Sequence, residues 1–188
     1  MIYTKEWAFI HIPKVSGINF MKRMLEQPGV INGHKGIIHI NHQPLQWWLD
    51  NKTLNKKQYI FCFVRNPYAR TVSLYNHMLT SGNNPGLPEF KKYIMTDVID
   101  RKTPFGLNFG FHWPQYKYIE NDQGIDVKYY KMETELPLVE DYIGHIFTDT
   151  RYNEKQHAPW QTYYDSETIE KINEKYKEDF TRFNYEYI

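Results

Sequence analysis

The sequence contains little of what would place a protein in several large classes. Its 188 residues include a single cysteine, Cys62, so no internal disulfide can form, and its position within an apolar run favours a packing role. No apolar stretch reaches the roughly 18 residues of a membrane-spanning helix, and no charged-then-apolar leader is present. We therefore expect one soluble, cytoplasmic domain over residues 1–188, large enough to bury a core.

An excess of charge of either sign is also missing. The 23 Lys and Arg residues nearly balance the 22 Asp and Glu residues, which leaves a formal net charge of +1. Such a chain has no long-range attraction to nucleic acid or to an anionic membrane, so we expect neither as a partner. Any anion that the protein binds must be held by a local site.

A metal site is not expected either. His34, His39 and His42 lie close together in the sequence, but they fall in a turn and a predicted strand rather than at i and i+4 on one helix face. No cysteine or nearby carboxylate completes a ligand set. The sequence therefore predicts no bound metal.

Alternating apolar runs and amphipathic segments predict an α/β fold. The longest apolar run, Tyr59–Val64, is typical of a strand buried on both faces in a parallel sheet. We expect a central parallel sheet of four or five strands with helices on both faces. Strands are predicted at 9–12, 37–41, 59–64 and 126–133. Two helices are predicted to begin at Ile18 and at Pro67, and three more to cover 45–51, about 89–100 and 136–146. A last helix is predicted from a cap at Asp165 through Phe180.

The first predicted strand-to-helix junction has the character of an anion site. Residues 9–20 read FIHIPKVSGINF, in which Pro13 ends the apolar run and a helix pattern begins at Ile18. Loop N–H groups, the positive end of the helix dipole and the Lys14 ammonium would all attract a phosphate or sulfate. The same pattern also occurs in α/β proteins that bind no anion. A nucleotide triphosphatase loop is excluded, because Lys14 precedes Gly17 instead of following it.

The second junction follows the strand Tyr59–Val64. Asn66 is suited to cap the next helix and Pro67 to open it, so Arg65 lies at the carboxyl edge of the sheet, where open α/β folds bind ligands. Its guanidinium could grip a phosphate through two hydrogen bonds. Taken alone, Arg65 could equally be a surface residue, and Ser73 a tolerated helical serine.

Together, FIHIPKVSGINF and FVRNPYARTVSLY resemble the two nucleotide-binding motifs of the carbohydrate-type (heparan- and chondroitin-type, family 2-like) sulfotransferases, which use 3'-phosphoadenosine 5'-phosphosulfate (PAPS). The resemblance implies a P-loop-kinase-like fold, PAPS as co-substrate and 3',5'-ADP as product. It also implies that Arg65 and Ser73 bind the 3'-phosphate. The loop residues implied to bind the 5'-phosphosulfate are Pro13, Lys14, Val15, Ser16, Gly17, Ile18 and Asn19.

The loop departs from the family pattern at four positions. Val15, Ser16, Ile18 and Asn19 stand where the family usually has Thr, Gly, Thr, and Ser or Thr. Two hydroxyl donors to the phosphate are therefore missing, and Ser16 and Asn19 could replace them.

The resemblance extends to later segments. The aromatic loop 103–118 contains an HW-x-x-Q pattern like one that lies near the acceptor in the family, so His112, Trp113 and Gln115 are implied to contact substrate. Aromatic side chains that merely cover a core are the alternative. Near the end of the chain, Asn153 and Lys155 match a loop that folds over the nucleotide, although the family usually has Ser at the position of Lys155.

A hydroxyl acceptor needs a general base, and histidine has an unperturbed pKa nearest neutrality. In the resembled family a histidine between the two motifs often has this role. His42 follows the predicted end of its strand, whereas His39 lies inside that strand, so we predict His42 as the base and keep His39 as the alternative. A turn histidine bonded to backbone ahead of Pro44 is a third interpretation.

The predicted function is therefore in-line transfer of a sulfuryl group from PAPS to a hydroxyl, in particular one on a glycan. Lys14 would stabilise the leaving group, and no metal is expected. A kinase-like phosphotransferase is the nearest alternative enzyme, and the missing GK[ST] pattern disfavours it. A non-catalytic nucleotide-binding module remains open because of Val15 and Ile18.

Overall fold

The apolar runs at Phe9 and Tyr59 form neighbouring strands of one sheet in the computed structural model of the chain. It describes residues 1–33, 42–54, 57–80, 88–96, 111–143 (backbone only for 140–143) and 157–188. These residues belong to two units. The first comprises Met1–Arg65 and Gln115–Asn153, and the second comprises Asn66–Pro114 and Glu154–Ile188.

The first unit contains a five-stranded sheet in the order β3-β1-β2-β4-β5. Strands β2, β4 and β5 run parallel, with Ile10 opposite Cys62 and Val64 opposite Lys131. Strand β1 is antiparallel to both of its neighbours, β2 and β3. The strands are β1 (Ile2–Tyr3), β2 (Trp7–Ile10), β3 (Ile31–Asn32), β4 (Tyr59–Val64) and β5 (Lys128–Lys131).

The predicted parallel arrangement holds for β2, β4 and β5 but not for the whole sheet, which is mixed. Strands β1 and β3 were not predicted, because two residues are too few to show an alternating pattern. A tight turn folds β1 back onto β2, and the Thr4 hydroxyl accepts hydrogen bonds from the amides of Glu6 and Trp7, each at 3.1 Å. The strand predicted at 37–41 lies outside the described residues.

The core of the first unit is aromatic. Helix α1 (Gly17–Met24) places Phe20 against the sheet, with ring centroids 4.6 Å from Phe9 and 5.2 Å from Phe63. Cys62 in β4 is fully buried, and burial raises the pKa of its thiol far above the usual range, as suits a packing role. The other helices of this unit are α2 (Leu45–Asp50), a short 3-10 helix (Gln115–Tyr118) and α5 (Leu136–Ile143).

The second unit is built from helices. Its longest helix, α3 (Pro67–Thr80), starts as predicted, since the Asn66 side-chain oxygen accepts hydrogen bonds from the amides of Tyr68 (3.0 Å) and Ala69 (3.3 Å). The others are α4 (Phe90–Met95), a 3-10 helix (Trp160–Tyr163), α6 (Ser166–Lys175) and α7 (Lys177–Arg182). They enclose a core of Tyr68, Val72, Tyr75, Phe90, Tyr93, Ile94, Ile172, Tyr176 and Phe180.

The predicted Asp165 cap is confirmed. Its carboxylate accepts from the Thr168 amide at 3.0 Å while the Thr168 hydroxyl accepts from the Asp165 amide, which forms a capping box. Lys91 lies 2.8 Å from the same carboxylate. The Lys91 hydrogen bond, followed by those from Thr168, holds the pKa of Asp165 well below its ordinary value of 3.8. The single helix predicted through Phe180 is instead two helices that meet at Tyr176.

Within the described ranges, no helix is both long and apolar enough to cross a bilayer.

Candidate active site

The predicted anion loop connects β2 to α1 and turns sharply. Lys14 and Ser16 both adopt left-handed backbone conformations, with φ angles of 67° and 66°. Ser16 occupies the N-cap position of α1, but its side chain makes no capping hydrogen bond to the helix backbone. The first amides of α1 are therefore not capped by the Ser16 side chain.

The amides of this loop are available to an anion. The Ser16 carbonyl accepts from the amides of Asn19 and Phe20, at 3.1 and 3.4 Å. In contrast, the amides of residues 15–18 have no hydrogen-bond acceptor within the part of the chain that the structure describes. Four successive N–H groups at the positive end of an eight-residue helix make an environment that favours a phosphate or sulfate.

Ser16 and Asn19 bond to each other at the two positions that we expected to replace missing hydroxyls. The Asn19 side-chain amide donates to the Ser16 hydroxyl at 3.2 Å. The other end of the Asn19 amide, Oδ1, is buried and has no partner among the described residues. Ile18, where the family has a hydroxyl residue, is 45% exposed. The loop thus retains polar groups at two positions and presents an apolar one at a third.

Gly17 is required by a close approach and not by its backbone angles, since its φ is not among the positive values. A Cβ built on Gly17 would lie 2.2 Å from Cδ2 and 2.5 Å from Nε2 of His11. The buried His11 ring therefore lies directly on the loop backbone. The strand predicted at 9–12 ends at Ile10, and His11 follows it.

Arg65 reaches the same loop. It directly follows β4, whose parallel pairing with β2 brings the carboxyl ends of both strands to one edge of the sheet. The half-buried Arg65 donates from Nη1 to the Lys14 carbonyl at 3.3 Å. The first unit thus brings the loop between β2 and α1 and Arg65, which belong to the two sequence motifs, to one edge of the sheet.

Gln115 lies on the opposite side of the Arg65 backbone. Its Oε1 accepts from the Arg65 amide at 2.9 Å, and its Nε2 donates to the Arg65 carbonyl at 2.8 Å. The residue is 0% exposed. This environment suits a residue that holds Arg65 better than one that touches an acceptor.

His42 lies beside the start of the loop. Its Nδ1 donates to the His11 carbonyl at 3.0 Å, since a carbonyl can only accept, and the two rings are 4.3 Å apart. In the neutral ring the proton is then on Nδ1 and the lone pair is on Nε2, which is the tautomer a general base needs. His39, the alternative base, lies outside the described residues.

The remaining predicted residues of the described chain belong to the second unit. Ser73 is half-buried on α3. His112 is buried, with its ring nitrogens 3.2 and 3.3 Å from the Tyr93 hydroxyl, and its carbonyl accepts from the Tyr176 hydroxyl at 3.1 Å. Trp113 is 40% exposed. His112 therefore faces the helical core, while Trp113 faces solvent.

Trp113 is presented by a fixed backbone. The buried Arg70 donates from its two terminal nitrogens to the carbonyls of Trp113 (2.9 Å) and Phe111 (3.0 Å). Hydrogen bonds of this kind from a charged group hold the segment firmly. An exposed indole on a rigid backbone is a suitable surface for stacking against a flat ligand.

Two of the predicted nucleotide residues, Asn153 and Lys155, lie outside the described residues. Across the ranges that are described, no group of three or more His, Cys, Asp or Glu side chains is arranged to hold a metal ion. The absence of a metal stays a prediction.

Comparison with known families identifies the class of protein. A model of the sulfotransferase family, namely sulfotransferase family 2, matches residues 4–186. Because the match covers nearly all of the chain, the protein belongs to this family, and the resemblance noted in its motifs is confirmed. No match was found among curated proteins or among solved structures. Family membership supports a transferase that moves a sulfuryl group to a hydroxyl-bearing acceptor.

Proposed function

We propose that this protein transfers a sulfuryl group from PAPS to a carbohydrate hydroxyl and releases 3',5'-ADP. The observation that carries the proposal is the loop between β2 and α1: the amides of residues 15–18 have no acceptor among the described residues, and the Arg65 guanidinium lies beside this loop, on the Lys14 carbonyl. The parallel strands β2, β4 and β5 support a relation to the P-loop kinase fold. The expected cytoplasmic location stays a prediction.

The nucleotide end of PAPS needs two anion sites. In this proposal the 5'-phosphosulfate lies on the loop amides, where N–H groups and the helix dipole act together. Arg65 and Ser73 bind the 3'-phosphate, and Asn153 and Lys155 close over the nucleotide. The hydrogen bond from Arg65 to the Lys14 carbonyl supports placing the two anion sites next to each other, because it puts the guanidinium beside the loop.

The chemical step is an in-line displacement at sulfur. The acceptor oxygen forms a new S–O bond as the bond between sulfur and the 5'-phosphate oxygen breaks, and the acceptor proton passes to Nε2 of His42. Lys14 stabilises the negative charge that develops on the departing phosphate oxygen. A sulfuryl group carries less charge than a phosphoryl group, so loop amides and one ammonium suffice without a divalent cation.

The acceptor class is a further part of the proposal. Trp113 supports a glycan, because an exposed indole can stack on a sugar ring, and Arg70 holds the backbone that carries this indole. His112 would act by supporting Trp113 from the core side. The sequence suggested Gln115 as a substrate contact, but both ends of its side-chain amide bond to Arg65. In this proposal it contributes through Arg65 and not through the acceptor.

The test combines binding with turnover. We expect 3',5'-ADP to raise the melting temperature well above the effect of 5'-AMP or ADP, with about 2.7 kcal/mol of stabilisation at a hundredfold excess over its dissociation constant. Equal shifts for the three nucleotides would remove the 3'-phosphate assignment. Labelled PAPS should then be consumed with one member of a panel of glycans and small alcohols.

A second outcome has support in the loop itself. The exposed Ile18 and the buried Val15 occupy positions where the family has hydroxyl residues. Selective binding of 3',5'-ADP without turnover on any acceptor would favour a non-catalytic nucleotide-binding module. Transfer from ATP instead of PAPS would favour the kinase alternative.

A further inference from the structure

We infer that Gln115 is a positioning residue that sets the discrimination for a 3'-phosphate by holding the backbone of Arg65. The inference rests on the proposed function, because it takes Arg65 as the group that binds this phosphate. It assigns Gln115 a role different from the acceptor contact that the sequence suggested.

The hydrogen bonds of Gln115 take over where the β-sheet stops. The ladder between β4 and β5 ends with the amide of Met132 donating to the Val64 carbonyl at 2.8 Å. Arg65 is the next residue, and its amide and carbonyl both bond to the Gln115 side chain, at 2.9 and 2.8 Å. A primary amide has one donor side and one acceptor side, so it can pair with a peptide group in the way a neighbouring strand would. Gln115 thus extends the ordered backbone by one residue.

The residue whose backbone Gln115 holds is Arg65, which carries the guanidinium proposed to bind the 3'-phosphate. Arg65 has a long side chain with many rotamers, and an arginine that must bind one phosphate is effective only if its backbone is fixed. Its Nη1 already reaches the Lys14 carbonyl at 3.3 Å. Without Gln115, the amide and the carbonyl of Arg65 would each lose a hydrogen bond, and the backbone from which the guanidinium extends would be held less firmly.

Gln115 is itself held firmly. It opens the 3-10 helix Gln115–Tyr118, and Tyr118 at the other end of that helix is 0% exposed. Gln115 is also 0% exposed, which leaves no surface for an acceptor sugar to touch. The burial of Gln115 and its two hydrogen bonds to Arg65 therefore both indicate that Gln115 acts through Arg65.

The experiment compares the full-length wild type with Gln115→Met, Arg65→Ala and the double variant. Methionine keeps the length and approximate volume of glutamine but removes both hydrogen bonds. Dissociation constants for 3',5'-ADP and 5'-AMP are measured by calorimetry. We expect Gln115→Met to weaken 3',5'-ADP binding about tenfold or more, as for a weakened hydrogen bond to a charged group, and to leave 5'-AMP binding nearly unchanged. In the Arg65→Ala background, Gln115→Met should not change the ratio further.

Gln58→Met is the matched control. Gln58 also uses its side-chain amide to bond a distant backbone carbonyl, that of Thr4 at 2.6 Å, but it precedes β4 whereas Arg65 follows the other end of that strand. The ratio of the dissociation constants of Gln58→Met for 3',5'-ADP and 5'-AMP should equal that of the wild type, even if the variant melts at a lower temperature. Should Gln115→Met misfold, Gln115→Leu is the second variant, because it also removes both hydrogen bonds and places no charge beside Arg65.

The outcomes separate the inference from the proposed function. Equal binding of both nucleotides by the wild type overturns the function and the inference together. If the wild type discriminates and Arg65→Ala abolishes the discrimination, but Gln115→Met or Gln115→Leu keeps it, the inference alone fails. An equal loss for both nucleotides, or a raised Michaelis constant for the acceptor only, also overturns it.

Discussion

Replacing Gly17 by alanine should damage the protein through one identified neighbour. The new Cβ would lie 2.2 Å from Cδ2 and 2.5 Å from Nε2 of His11. Non-bonded carbons prefer about 3.5–4.0 Å, so the ring or the loop must move by more than about 1 Å. His11 has little room to move, since it is 4% exposed and its ring lies between those of Phe9 (6.1 Å) and His42 (4.3 Å).

The size of the effect follows from that geometry. Overpacking a filled site costs about 1–3 kcal/mol. For a chain of this length, each kcal/mol lowers the melting temperature by about 2–4 °C. Turnover should fall by more than stability alone explains, because the His11 carbonyl accepts the hydrogen bond that orients His42.

The assay is a double-mutant cycle on the protein without ligand. Melting temperatures are compared for the wild type, Gly17→Ala, His11→Ala and the double variant. We expect the double variant to lose less in melting temperature than the two single variants lose together, because removing the imidazole leaves space for the new methyl group. Additive losses would refute the reasoning and would mean that Gly17 is needed for something other than the His11 ring.

Gly29→Ala provides the control for this cycle. Gly29 has a φ of 79° and no atom within 4 Å of a built Cβ, so its cost comes from backbone strain alone. His11→Ala should leave that cost unchanged. A rescue of Gly29→Ala as large as that of Gly17→Ala would show that the coupling is not local.

Three further predictions concern charge and proton transfer. Lys14→Ala should lower turnover about a hundredfold or more with little loss of 3',5'-ADP affinity, because charge grows on the leaving oxygen only in the transition state. His42→Ala should keep 3',5'-ADP binding, lose about 10²–10⁴ in turnover and lose the acidic limb of the pH–rate profile, since only a neutral imidazole accepts a proton. Asp165→Asn should lower the melting temperature at pH 7 and less so in acid. The pKa of Asp165 is lowered by folding, so its contribution is present above the ordinary value of 3.8 and is lost as the pH falls below it.

Each of these has a result that would contradict it. Normal turnover of Lys14→Ala with only a raised Michaelis constant for PAPS would remove its role in the chemical step. If His42→Ala keeps its rate and acidic limb while His39→Ala or His112→Ala loses both, the base is that other residue. A constant difference in melting temperature between wild type and Asp165→Asn from pH 7 to pH 3, in low salt, would mean that the Lys91 pair contributes nothing.

Features of this protein that depend on near neighbours in the sequence could be predicted. The strand Tyr59–Val64 was predicted with its observed bounds, because a short run of six apolar residues is typical of a strand buried on both faces of a sheet. Asn66 and Asp165 were predicted as helix caps, since a cap satisfies amides only two or three residues further on. The family was also recognisable, because each nucleotide motif is a continuous segment.

Other features were decided only by the tertiary structure. Strand β1 exists because β2 offers an edge to pair with, and β3 because β1 offers the next edge, while two residues carry no periodicity of their own. The break between α6 and α7 at Tyr176 falls within an unbroken apolar stripe, so the pattern predicted one helix.

The candidate site likewise has some features that the sequence shows and others that only the fold shows. The amino-acid sequence by itself determined that a loop with Lys14 precedes a helix and that Arg65 follows a buried strand. Only the fold decided that Gln115 holds Arg65 from 50 positions away and that His11 lies on Gly17 and orients His42 from 31 positions away. The physical reason is that helix caps and strand patterns satisfy backbone groups within a few residues. A buried amide or imidazole instead finds its partner only where two distant segments pack together, and no local pattern records that meeting.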